Sequence, residues 1–556
     1  MRRRLFATLM LAAGMLFAAP AAALADGITM NGTPTAGSIT VDEGTNTITV
    51  SGNATMSGNG DAFTINANTT LEFDPGATLT LTGYTNAFVV SNATLSGGGW
   101  NITDGDGMDL FRLKTGGKLS IDDDVTLAGN GTDAATDTAA ASRAIVLESG
   151  SGQEVALVDG ATLAASNFYR GMETGGASGY TISGQNRETS IFDFSDNDCG
   201  MALSYFDSNA TYKNCKLEVS DCLTSGIFMR QDNAALAGLV IDDVWINCEN
   251  DENLNQADIA IRFHSNDFTI QDSRINIQNA WNTGLWIYDG WNANPQNEII
   301  NTEITVNHVD ENDSLTSLLG FTRRKAITFV PYRDWLVSGS TITINDTGEG
   351  GINVASDPQI NRNGSLFPNA WTATLGMRGG KVIFEDTTIN STGVIGADLG
   401  AQVGQWIEIG KNTVINNGNS NEHYTILCDD ASLGFPASTI LGDMLIPYDE
   451  DILTENDLNP NRVIVTGGSF WSSQRTDIVY EGISVYEQSI PSLNDQEKLH
   501  MVTLTPEQYA SYAINGVLTV KKSDESTYTY EVKNASADGN RYIWIPNGAS
   551  LVSPTA

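Results

Sequence analysis

Tyr212-Lys-Asn-Cys-Lys-Leu-Glu-Val219, Ile241-Asp-Asp-Val-Trp-Ile-Asn-Cys248, Ile270-Gln-Asp-Ser-Arg-Ile-Asn-Ile277 and Ile299-Ile-Asn-Thr-Glu-Ile-Thr-Val306 are four copies of one eight-residue pattern. Each begins 29 residues after the one before. Two further copies, Val337-Ser-Gly-Ser-Thr-Ile-Thr-Ile344 and Phe384-Glu-Asp-Thr-Thr-Ile389, follow after gaps of 38 and 47 residues. Such gaps mark loops inserted into otherwise equal units. Positions one, six and eight are mostly apolar, whereas position three is Asn214, Asp243, Asp272, Asn301, Gly339 and Asp386. Asn, Asp and Gly are the residues that tolerate a left-handed backbone. A bend at the same point of every unit, followed by alternating apolar residues, describes a coil of short strands. Coils stacked about 4.8 Å apart put Leu217, Ile246, Ile275, Ile304 and Ile342 in one internal column. Val219, Cys248, Ile277, Val306 and Ile344 form the column beside it.

A second strand precedes each bend. Aligned on Gly200, Gly226, Asp258, Gly284 and Ala326, these strands end at Phe206, Asp232, His264, Gly290 and Tyr332. Smaller coils of the same layout begin at Phe63, Phe88, Phe111 and Ile145. No dozen-residue window between Ser38 and Gly418 sustains the i, i+3, i+4, i+7 apolar spacing of a helix. A β-sandwich also uses many short strands, but it would not repeat in register. The predicted fold is therefore all-β: a right-handed parallel β-helix solenoid with a small C-terminal β-rich cap or appended domain. Residues 26–170 read as short N-terminal coils and 171–446 as the main coils. Residues 447–556 lose the coil period, gain a short helix at Thr505 to Ser511, and read as a cap over the open end of the stack.

The coils from about Gly32 to Asn419 resemble the right-handed parallel β-helix superfamily, which includes pectate lyases, polygalacturonases, tail-spike proteins and bacterial surface adhesins. The resemblance implies a fold and leaves function open, because that superfamily holds both enzymes and non-enzymes. Val463-Ile-Val-Thr-Gly-Gly-Ser-Phe470 with Ile478-Val-Tyr-Glu-Gly482 resembles a strand motif of cell-surface proteins of Gram-positive gut bacteria.

At the N-terminus Arg2, Arg3 and Arg4 precede an apolar run from Leu5 to Phe17 and the small-residue stretch Ala23-Leu24-Ala25. This is the layout of a cleaved secretory leader over residues 1–25, so the expected location is secreted or cell-surface. No later stretch approaches the roughly 18 consecutive apolar residues of a membrane helix, and no membrane insertion is expected. Asp and Glu number 67 against 29 Lys and Arg, a net charge of −38. Nucleic acid and anionic lipid both require a basic footprint, and the composition excludes them as partners.

Candidate site residues come from the outward positions of the second strand. As aligned, one column holds Ala202, Phe228, Ala260, Trp286 and Thr328, and the next holds Ser204, Arg230, Arg262, Tyr288 and Val330. A third holds Phe206, Asp232, His264, Gly290 and Tyr332. Trp286, Tyr288 and Tyr332 suit stacking on sugar rings, and Arg230 and Arg262 suit carboxylates. Trp281, Trp286, Trp291 and Trp335 place four of the ten tryptophans within 55 residues, and clustered exposed aromatics mark a contact surface. The competing account is a solvated ion-pair ladder through Arg230, Asp232 and His264 over an ordinary sheet face.

Polygalacturonase-like hydrolases carry Gly-His-Gly and Arg-Ile-Lys motifs, and neither occurs here. A lyase needs a base near a uronate α-carbon and a cation for the carboxylate; Arg262 or His264 would be the base and Arg230 the neutraliser. Whether the chain is an enzyme stays open, with a polysaccharide lyase or glycosidase as the enzymatic form. Asp104-Gly-Asp-Gly-Met-Asp109 has the acid spacing of a calcium loop at Asp104, Asp106 and Asp109, but a Gly/Asp-rich corner between Trp100 and Phe111 is the preferred reading. Calcium is the one cofactor the sequence suggests. Among the cysteines Cys199, Cys215, Cys222, Cys248 and Cys428 no essential disulfide framework is expected, and Cys199 with Cys215 is the least implausible pair. Cys248 falls in an inward column as a small core residue. The functional expectation is an adhesin or glycan-binding scaffold whose partner is a polysaccharide or cell-surface glycan, with a protein partner as the other kind of occupant.

Overall fold

Each position-three residue turns the chain through a left-handed conformation. In a computed structural model, Asn214, Asp243, Asp272, Asn301, Gly339 and Asp386 have φ between 48° and 61°, and Asn412 continues the series at 57°. The structure describes residues 27–131, 142–204, 209–229, 238–251, 259–265, 267–280, 283–288, 297–309, 325–330, 334–345, 350–354, 381–392, 397–401, 406–418, 424–428, 462–465, 467–472, 483–484 and 499–554. The corner side chains are themselves bonded from coil to coil: Asn301 Nδ2 donates to Asp272 Oδ1 at 3.2 Å, and Asn412 Nδ2 to Asp386 Oδ1 at 3.0 Å. The next residue points inward. There Ser273, Thr302, Ser340 and Thr387 are buried, and each hydroxyl donates to a main-chain carbonyl two residues back, at 2.7 to 3.0 Å. A polar residue thus enters the core with its hydrogen bond made, which removes the penalty of burying it.

Each coil gives one strand to a fourteen-stranded sheet and two to a twenty-seven-stranded sheet on either side of the corner. Successive coils pair in parallel. Leu217, Ile246, Ile275, Ile304 and Ile342 stand in one register column, which runs on through Ile389 and Ile415 to Phe470. Cys248, Ile277, Val306 and Ile344 form the adjacent column, all unexposed. A fully buried aliphatic side chain contributes about 1.5–3 kcal/mol, so these columns supply the main term in holding the stack together. In the N-terminal coils Phe63, Phe88 and Phe111 form an aromatic column with ring centroids 4.8 and 5.2 Å apart. The architecture is an all-β parallel β-helix.

The strand before the bend is closely packed on the inner columns. A Cβ added at Gly226 would lie 2.8 Å from Cys248 Sγ, and one at Gly284 2.7 Å from Val306 Cγ1. Only small residues fit at these points of the main coils. That requirement sets the register: Ile227, Ile261 and Leu285 are paired, so Ala260 stands level with Gly226 and Gly284. The alignment on Asp258 is therefore out by two residues in this one coil. Arg262 moves into the column of Phe228 and Trp286 in place of Ala260, and His264 moves level with Tyr288.

Both ends of the stack are covered. At the first coil Ile28–Met30 pairs antiparallel with Asp61–Ile65, and Ala36–Asp42 pairs antiparallel with Thr47–Ser57. At the other end lie the antiparallel pair Leu499–Leu504 and Arg541–Pro546 and a three-stranded sheet around Val517–Lys521. The helix Pro506–Tyr512 starts at Thr505, which forms a capping box with Gln508. This module docks on the last corners through Asn412 N–H to Glu531 O, Tyr530 OH to Gly468 O and Ala537 N–H to Asn416 Oδ1, at 2.9 to 3.1 Å. Cys199, Cys215, Cys222 and Cys248 are free and buried, so the Cys199–Cys215 pair is not formed. Residues 1–26, with the expected leader, lie outside the described residues.

Candidate functional site

Three neighbouring strands of the fourteen-stranded sheet, Ser225–Met229, Ile259–His264 and Thr283–Tyr288, build the site. Alternation sends Ile227, Ile261 and Leu285 into the core, each at most 1% exposed, and therefore sends Phe228, Arg262 and Trp286 outward. These three are in register on successive coils. The Arg262 guanidinium carbon lies over the Phe228 ring at 5.6 Å and over the Trp286 ring at 5.7 Å. A cation between two aromatic faces gains about 0.5–2 kcal/mol per ring and is held in place by them. Thr328 follows Trp286 in the column and is 3% exposed.

His264 ends its strand buried at 4% exposure, its main-chain N–H facing Met229 Sδ at 3.2 Å. Tyr288 is opposite His264 on one side and Val330 on the other, placed by its backbone alone. Arg230, Asp232, Trp291 and Tyr332 lie outside the described residues, as does Trp281. Of the aromatic and basic residues expected on this face, the structure brings together Arg262 and Trp286, with Phe228 as the third member.

The same sheet carries a charged network that the sequence reading missed. Asp61, Asn86, Asp109, Arg143 and Arg170 occupy one register column of the N-terminal coils. Arg143 makes a bidentate contact to Asp109 at 2.7 and 2.9 Å and reaches Glu173 at 3.0 Å. Arg112 bonds Asn86, Asp109 and Glu148 at 3.1 to 3.2 Å, and Arg170 pairs with Glu173. Burial pushes the Asp109 carboxyl above its ordinary range, against the pull of Arg143 and Arg112. The detectable signal was the polar or charged residue two places before the inward residues Phe63, Phe88, Phe111, Ile145 and Met172. A third cluster surrounds Trp245 on the other sheet, where Arg187 and Arg274 lie over the ring at 5.3 and 4.7 Å and pair with Asp243 and Glu303. Both networks are internally neutralised, so they clamp coils to one another.

The acidic run Asp104 to Asp109 is a corner held by its own carboxylates. Asp104 accepts main-chain N–H groups of Asp106, Gly107 and Met108 at 2.8 to 3.0 Å. Asp106 accepts Gly83 N–H at 2.7 Å. With Asp109 turned to Arg143, the three acids serve three different partners. Among the described residues no group of three or more His, Cys, Asp or Glu is placed to hold a metal. No described helix is long and apolar enough to cross a membrane.

What fold and site together define is a parallel β-helix with an Arg-aromatic column on one sheet face. No family model, curated protein or solved structure matches the chain.

Proposed function

We propose that this protein is an exported, pectate-lyase-like right-handed β-helix that acts as an adhesin or glycan-binding scaffold, with the sheet face at Arg262 and Trp286 as its contact surface. One observation carries the reading: the Arg262 guanidinium sits between the Phe228 and Trp286 rings on three successive coils. Two rings separated by two coil spacings, about 10 Å, with a fixed cation between them offer an apolar strip with a polar centre, which matches the alternating apolar faces and polar edges of a saccharide chain. The acidic, membrane-free composition fits an extracytoplasmic setting in which the partner is a polysaccharide or cell-surface glycan. A polysaccharide lyase or glycosidase on the same face is the alternative. Against it stands the engagement of Arg262 with two rings, since a base has to be free to take the substrate proton.

The test is retention of the purified protein on neutral and uronate-rich polysaccharides, followed together with ultraviolet absorbance for unsaturated products. Retention without product, lost on Trp286→Ala or Arg262→Ala, supports the scaffold. Turnover that Arg262→Ala or His264→Ala abolishes overturns it.

A further inference from the structure

On the two coils that follow Arg262, two side-chain atoms are buried without a hydrogen-bond partner: Trp286 Nε1 and Thr328 Oγ1. They belong to residues paired in register on neighbouring coils, outward on the face just described. Thr328 is 3% exposed, and a third such atom, Thr283 Oγ1, belongs to the strand that carries Trp286. Folded proteins leave few buried polar atoms unpaired, and each one costs free energy unless something satisfies it. Two on adjacent residues of one column, next to a stacked cation, form a recognisable set. The indole N–H only donates, whereas the threonine hydroxyl both donates and accepts.

We propose that this pair is the specificity element of the contact surface and receives one hydroxyl of a neutral saccharide. That hydroxyl accepts from Trp286 Nε1–H and donates to Thr328 Oγ1. The inference rests on the reading of this face as a glycan surface and adds the substrate class. A neutral sugar is favoured over a uronate for two reasons on the same face. A carboxylate would have to be desolvated against a 3% exposed threonine, and a polyuronate would approach a protein of net charge −38.

Two conservative variants separate this idea from the broader reading. Trp286→Phe keeps a ring and removes the N–H; Thr328→Val keeps the shape and removes the hydroxyl. Calorimetric titration would use neutral hexasaccharides of glucose, mannose, galactose and xylose, with hexagalacturonate as the charged arm. The expected result is binding of a neutral hexasaccharide that each variant weakens about tenfold. The Thr328→Val protein should also melt at a higher temperature than wild type without ligand, because an unsatisfied hydroxyl has gone. If Trp286→Ala abolishes binding while Trp286→Phe and Thr328→Val bind as wild type does, the hydroxyl pair is refuted and the glycan face stands. If Trp286→Ala also binds normally, the face itself is refuted. Binding of hexagalacturonate in preference to every neutral sugar overturns the assignment of substrate class.

Discussion

Gly339→Ala is the substitution whose cost follows most directly from the geometry of the corner column. Gly339 has φ 61°, and a Cβ built there would meet Asn301 Oδ1 at 2.5 Å. A left-handed conformation costs an L-residue about 1–2 kcal/mol. The contact adds to this, because Asn301 can make room only by turning away and giving up its 3.2 Å bond to Asp272, worth about 0.5–1 kcal/mol at an exposed site. The sum predicts a destabilisation of about 1.5–3 kcal/mol. Placing Gly339→Ala in an Asn301→Gly background removes the collision and leaves only the backbone part, about 1–2 kcal/mol, so the double-mutant cycle should show coupling of about 0.5–1 kcal/mol. Urea unfolding followed by tryptophan fluorescence, with m-values compared between variants, measures all four corners of the cycle. Additive effects, or a Gly339→Ala protein as stable as wild type, would refute the claim that corner residues of successive coils sit directly over one another.

The thiols give a pH dependence. Burial pushes Cys199, Cys215 and Cys248 up to about 12, and Cys222 also moves well upward. The unfolded chain therefore binds fewer protons than the folded one above the ordinary thiol range. Stability should be full below about pH 8.5 and fall as pH rises beyond it, by up to about 1.4 kcal/mol per pH unit per thiol; unfolding titrations of wild type and Cys248→Ala check the slope, which the variant should flatten. Asp109→Ala leaves Arg143 and Arg112 half-buried without their shared carboxylate, and should cost about 3 kcal/mol by the same denaturation assay.

The sequence disclosed the solenoid because corner chemistry and core chemistry recur at a fixed interval. Asp272 and Asn301 are 29 residues apart and hold the same backbone angle, and Ile275 and Ile304 fall in register as a result. The face was harder to read. Its strand begins after insertions of unequal length, so interval alone does not fix its alignment, and Asp258 was taken where Ala260 belongs. The packing rule at that position, small because Val306 or Cys248 lies within 3 Å of any added carbon, was present in Gly226, Ala260 and Gly284 and is visible once the inner columns are known. The charged column through Asp109 and Arg143 escaped because its members come from coils 25, 23 and 34 residues apart, where no period announces that they meet.

The antiparallel strands Ile28–Met30 and Ala36–Asp42 have a consequence for growth of the stack. A parallel ladder is an open template that would accept the next chain as readily as its own next turn. By reversing direction, these two segments present the wrong polarity to any incoming parallel strand. The module around Tyr530 occupies the opposite face. A molecule built on the same repeating geometry as a fibril thus carries, within a single chain, reversed strands at its first coil and a docked module at its last corners.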